Sequence, residues 1–168
     1  YATEIASAHH PDDARWNRAA RVADRVARRL RAGLGVNREM LADDFRWSMV
    51  HADGEVTDAG GGSLASKSGG PYRPGAALRF RPIARRGDSV MLAHEFEGAA
   101  ADPTRLTVLQ TDDHDRLVRV VHYEPDALDA ARAELDGSWW VTLAAAQRAT
   151  VVAARELGEA FQAQSRAA

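Results

Sequence analysis

Five stretches of this chain alternate side chains with a period of two, and this alternation limits what it can fold into more than any other feature. They are 45–51, 78–83, 89–97, 105–111 and 117–124. Period-two alternation puts successive side chains on opposite faces of a strand, so each stretch reads as a strand. In the first, Phe45, Trp47, Met49 and His51 share one face, and Arg46, Ser48 and Val50 share the other. In the third, Val90, Leu92, His94 and Phe96 alternate with Met91, Ala93, Glu95 and Glu97. Gly87-Asp88 and the polar run Asp112-Asp113-His114-Asp115 are hairpin signals. Short strands at this spacing, joined by tight turns, predict a curved antiparallel meander.

Helical periodicity flanks the strands. Asp12 and Asp13, after Pro11, offer an N-cap and first-turn negative charge, and Trp16, Ala19, Val22, Ala23, Val26, Leu30 and Leu34 recur at helical spacing. Gly33 and Gly35 stop the run. The arginines at 15, 18, 21, 25, 28 and 29 read as a solvated helix side. A short helical turn, 37–42, leads into the first strand. After Pro125-Asp126, a helix is expected over 127–135, broken at Gly137-Ser138, with a long final helix from Trp139 to about residue 164. Its stripe of Trp139, Leu143, Ala146, Thr150, Ala153, Leu157 and Ala160 is spaced for close approach of another helix, from a twin chain or a neighbouring domain. Helices, then antiparallel strands, then a covering helix make an α+β class. The expected organisation is a flexible N-terminus at 1–11, one domain over 12–136 and a C-terminal helical extension over 137–168.

The segment 53–75 has no periodicity and holds seven glycines, so it reads as a long loop. Inside it, GGGSLASKSGG (60–70) resembles a phosphate loop, but Ser66 precedes Lys67 where glycine is needed, and Gly69 follows Ser68 where a helix should start. Asp58 and Tyr72 flank this loop and are expected at the surface. HEFEG (94–98) lacks the second histidine of a zinc helix, and the pair His9-His10 is expected in an unstructured terminus.

Composition removes whole classes. With no cysteine there is no disulfide scaffold, thiolate metal site or cysteine nucleophile. The 22 basic and 24 acidic residues nearly balance, which argues against nucleic acid as a partner. No apolar run approaches the ~20 residues of a membrane span, and the first ten residues lack the regions of a signal peptide. A soluble, cytoplasmic protein without membrane contact is expected, and the start at Tyr1 suggests a trimmed chain or a piece of a longer one. No metal, cofactor or covalent nucleophile is expected.

LADDFRWSMVHADGE (41–55), GDSVMLAHEFEG (87–98) and RLTVLQTDDHDRLVRVVHYEPDALDAARAEL (105–135) together resemble the nuclear transport factor 2-like superfamily, in its SnoaL-like branch of polyketide cyclase and ketosteroid isomerase relatives. The resemblance spans roughly 12–135 and leaves the final helix outside. It implies a cone-shaped curved antiparallel sheet wrapped around N-terminal helices, with one deep pocket on its concave face. It also implies a homodimer, since relatives commonly pair through the outer sheet face.

The resemblance places Trp47, Met49, His51, Leu92, Phe96, Leu109 and Val120 around an apolar small-molecule ligand, with His94, His122 and Thr107 as its polar, catalytic set. Met49 stands where the isomerase relatives carry their base, Thr107 stands where they carry a mid-sheet acid, and the first helix has no tyrosine. The isomerase mechanism therefore does not transfer. SnoaL-like cyclases are more similar, because they use a histidine on the sheet, and histidine titrates near neutrality. Two strands apart, His94 and His122 would stand about 9–10 Å from each other and flank a ring-sized ligand across Thr107. The expected function is a cofactor-free cyclase or isomerase acting on an apolar, carbonyl-bearing, polyketide-like substrate. The alternatives are a non-catalytic ligand-sensing or dimerisation module of a larger bacterial protein, and an adaptor acting through the last helix alone.

Overall fold

A computed structural model describes residues 17–60, 72, 74–143, 147, 152, 154 and 155. The first helix, α1 (Arg18–Arg31), starts where Asn17 turns extended, with φ −71° and ψ 169°. The Asn17 side chain accepts from the Ala20 amide at 3.0 Å and donates to the Val90 carbonyl at 2.9 Å, so one residue caps the helix and fastens it to a strand end. The cap of α1 is thus Asn17; the expected Asp12 and Asp13 lie outside the described residues. The helix stops at Gly33 as expected, with φ 74° and the Gly33 and Leu34 amides donating back to Leu30 and Arg29. Leu34, counted above on the apolar face, lies beyond this stop and is exposed.

A single 3-10 turn (Arg38–Met40) leads into six strands. These are β1 (Leu41–Val50), β2 (Val56–Gly60), β3 (Leu78–Arg86), β4 (Val90–Glu97), β5 (Arg105–Thr111) and β6 (Leu117–Tyr123). They form one sheet in the order β2-β1-β6-β5-β4-β3. Strand β2 corrects the expected uninterrupted loop. Its DAG end carries no alternation, and what makes it a strand is the ladder offered by β1, with Val56 opposite Val50 and Trp47 opposite Ala59. The sheet is also not wholly antiparallel, because β1 runs parallel to β6. The first strand returns to the far edge of the β3–β6 meander, a non-local pairing that no local turn signal announces. Edge strand β3 carries Pro82 at a register shift, where a missing amide costs no ladder bond.

The last helix described in full, α2 (Leu128–Thr142), runs through Gly137-Ser138 and ends where Leu143 turns extended at ψ 136°. The expected break at 137–138 is thus corrected to 143. The buried Ser138 hydroxyl bonds the Glu134 carboxylate one turn back at 2.7 Å, and Trp139 packs on the sheet, so packing outweighs the weak helix propensity of Gly-Ser. Of the predicted small-residue stripe only Trp139 and Leu143 fall among the described residues.

The molecule is α+β: a six-stranded mixed sheet with a helix on each face. One core lies under α1, where Ala19, Val22, Ala23, Val26 and Leu30 meet Phe45, Leu78, Met91, Ala93, Leu109, Leu117 and Val120. Small helix residues let the backbone approach the sheet closely. The other core lies under α2, where Ala131 and Leu135 meet Val90, Leu92, Leu106, Val108, Val121 and Tyr123. Among the described residues no helix is long and apolar enough to cross a membrane.

Candidate functional site

The register of the sheet decides which polar residues meet. On the face covered by α1, Ala93 stands opposite Thr107, Thr107 opposite His122, and His122 beside Met49, one strand after another. Glu95, opposite Arg105, lies two residues further along β4 on the same face. Thr107 and His122 therefore come together as predicted, with Leu109, Val120 and Trp47 around them in the α1 core.

His94 is not with them. It stands opposite Leu106, on the face of Val90 and Leu92, whose core is closed by α2. The expected inward set Val90, Leu92, His94 and Phe96 is thus corrected to Met91, Ala93 and Glu95. The physical reason is that helices cover both sides of the sheet. Both alternate sets of β4 are then largely apolar, and period two cannot say which set meets α1. The His94 and Phe96 rings are tilted 59° to each other with centroids 6.3 Å apart, and the Arg79 guanidinium lies 5.3 Å from the Phe96 ring. His51 lies beyond the end of β1 and is exposed, its Nε2 3.0 Å from the Thr57 hydroxyl. Met49 is half-buried.

The α1 face instead holds a buried cluster of Glu95, Thr107 and His122, each 0 % exposed. The Thr107 hydroxyl donates to Glu95 Oε2 at 2.8 Å and lies 3.3 Å from His122 Nδ1. His122 Nδ1 is also 3.4 Å from Glu95 Oε2. The other carboxylate oxygen, Oε1, lies 3.3 Å from Arg105 Nε, close enough for an ion pair but not aligned as a hydrogen bond. Burial pushes the Glu95 carboxyl above its ordinary range, while Arg105 and Thr107 pull it back down. Burial, with the nearby positive charge of Arg105, lowers His122 to about 3, so its imidazole is neutral at physiological pH. Since the Thr107 hydrogen is committed to Glu95, Nδ1 is the ring nitrogen placed to donate. Nε2 then carries the free lone pair.

Two aromatic rings close on this imidazole. Trp47 meets it with centroids 6.0 Å apart and Tyr72 at 5.6 Å, both edge to face, and Tyr72 also stands perpendicular to Phe80. Trp47 Nε1 and His122 Nε2 are buried without a hydrogen-bond partner, and the buried Tyr72 hydroxyl lies beside the Glu95 carboxylate. The Tyr72 hydroxyl is near enough to Glu95 to feel its charge, and burial plus that charge raise it well above the ordinary tyrosine range. Tyr72 therefore stays protonated and can donate. Trp47 and His122 thus present one donor and one acceptor that the chain itself leaves unsatisfied, which is uncommon in a protein interior, with the Tyr72 hydroxyl next to them.

Glu95, Tyr72 and Arg105 did not figure in the predicted site. For Glu95 the available signal was its position two and four residues after Ala93 and Met91. For Arg105 it was its place opposite Glu95, and that needs the register. Tyr72, expected at the surface, is 4 % exposed, and nothing in its neighbouring sequence announces this. Asp58 is exposed as expected. His9, His10 and the glycine-rich 61–70 lie outside the described residues. Among the described residues no three His, Asp or Glu side chains are grouped to hold a metal ion.

Fold and site together define an α+β domain with a buried glutamate–threonine–histidine cluster walled by aromatic rings. No protein-family model, no curated protein and no solved structure matches the chain.

Proposed function

We propose that this chain is a small-molecule-binding domain of the nuclear transport factor 2-like, SnoaL-like kind, acting as a cofactor-free acid–base catalyst on a carbonyl compound. One observation carries the reading: His122 and Trp47 have unsatisfied buried polar atoms, and the rings of Trp47 and Tyr72 both pack on the His122 imidazole. In this reading His122 Nε2 takes a proton from the carbon next to the carbonyl. Tyr72 and Trp47 donate to the oxygen on which negative charge develops. Glu95 and Thr107 hold the Nδ1–H tautomer, and the carboxylate steadies the imidazolium once it forms. A base lowered this far matches only strongly acidified carbon acids, which favours 1,3-dicarbonyl, polyketide-like substrates.

The test is exchange of α-protons into D2O for a panel of aromatic and polyketide-like ketones, followed by proton NMR. Acceleration by the wild-type protein should fall about 100-fold in His122→Gln and about tenfold in Tyr72→Phe. Equal exchange in all three proteins overturns the catalytic role. The complete burial of Glu95 and His122 favours a second reading, a ligand-sensing module without turnover. In that case a ketone would shift the His122 imidazole resonances with no exchange.

A further inference from the structure

A second recess lies on the opposite side of the sheet. Helix α2 packs mainly on β3 to β6 and leaves the β2–β1 end of its face uncovered. Between that end and Glu134 of the helix is a groove of about 320 Å³. That is at the small end of the range for ligand sites, about 300–1,000 Å³.

The groove carries an arrangement that the fold alone does not reward. Arg46 on β1 and Arg119 on β6 are register partners on adjacent strands and line the same groove. Like charges directly opposite on a sheet are destabilising. Arg119 is held by a 2.6 Å bond from Nη1 to Glu134 Oε1, whereas Asp58, which also lines the groove, makes no ion pair with Arg46. Glu134 is otherwise engaged, accepting from Ser138 at 2.7 Å and from the Tyr123 hydroxyl at 3.5 Å. Among the described residues Arg46 has no ion-pair partner. Between the arginines and the apolar Val50 and Val121, Ser48 adds a hydroxyl to the lining.

We infer that this groove binds a small amphipathic monocarboxylate, its head on Arg46 and the free edge of Arg119, its short apolar body on Val50 and Val121. Guanidinium forks match a planar carboxylate. The choice of a monoanion follows from the remaining charges. Asp58 and Glu134 also line the groove and balance the two arginines, so the groove carries no net charge to offset the larger desolvation cost of a dianionic phosphate. The inference does not depend on the acid–base cluster, which lies across the sheet.

The experiment is an NMR titration of the full chain with 4-phenylbutyrate and, separately, with 4-phenylbutan-1-ol and phenyl phosphate. Arginine Nε–H and valine methyl resonances are followed. The carboxylate should shift Arg46, Arg119, Val50 and Val121 while leaving the His122 imidazole unmoved. The alcohol and the phosphate should each bind about tenfold more weakly or worse. Arg46→Gln, a change at an exposed side chain, should weaken carboxylate binding by a similar factor, with Arg46→Lys in between. Equal binding of alcohol and carboxylate overturns the inference, as does tighter phosphate binding, an unchanged Arg46→Gln protein, or shifts confined to the α1 face.

Discussion

At the scale of single residues, the chemistry of this protein rests on burial. Thr107 and His122 are expected in the site from the family resemblance alone, because both faces of their strands mix polar and apolar residues. Glu95 is not expected there, because a glutamate in a strand normally faces water, and only Arg105 and Thr107 on the next strand make its burial tolerable. The burial has a measurable consequence. Unfolded, His122 titrates near its ordinary 6.5; folded, it is lowered to about 3. Between those values the unfolded chain binds more protons, so this contribution to stability is complete above the unfolded value and is lost as pH falls. Glu95, raised by burial, acts with the opposite sign: its contribution falls as pH rises above the ordinary carboxylate value, which offsets part of the His122 effect. Urea unfolding between about pH 7 and about pH 4 should show wild-type stability falling on the acid side by less than the ~1.4 kcal/mol per pH unit of one uncompensated proton. His122→Gln should remove most of that slope. An unchanged slope would mean that another group controls the acid limit.

At the scale of elements, β5 matches the expected strand residue for residue and β6 ends one residue short of it, because a tight polar turn joins them and sets both ends. In that turn Asp112 accepts from the His114 and Arg116 amides, both at 2.9 Å, and Asp115 takes φ 58°. Strand β2 and the unbroken α2 were hidden because each is decided by a partner: β1 for the one, the sheet surface for the other. The start of α1 shows the same dependence. Asn17 caps the helix and also satisfies the Val90 carbonyl, with a longer contact of 3.3 Å to the Gly87 carbonyl. Asn17→Ala should therefore cost about 2 kcal/mol, above the ~1 kcal/mol of an ordinary cap. Asn17→Asp keeps the cap acceptor but loses both donors, and should fall between. Denaturant midpoints of the three proteins check this order.

At the scale of the whole molecule, one sheet separates two cores that share no residue. Leu30 fills the core under α1 and Leu135 the core under α2, both fully buried. Truncating either to alanine should cost about 3 kcal/mol. Because the sheet lies between them, the double variant should lose the sum of the two within about 0.5 kcal/mol. Chemical denaturation of the four proteins tests this. A large departure from additivity would mean that the sheet transmits strain from one core to the other. The same two-sided design permits two recesses of different character, an acid–base cluster on one face and an arginine-lined groove on the other.

The sequence by itself determined the α+β class, three strand positions nearly to the residue and the stop of α1 at Gly33. These follow from local rules of alternation, turn chemistry and helix termination, which neighbouring residues carry in full. Only the tertiary structure decided the parallel pairing of β1 with β6, the existence of β2, the continuity of α2 and the face on which His94 lies. Each of those depends on a partner distant in sequence. On a sheet covered from both sides, alternation reveals that faces exist but not which helix each one meets. The same limit hid Glu95, because a buried carboxylate is set by the neighbours that compensate it, and those arrive with the register.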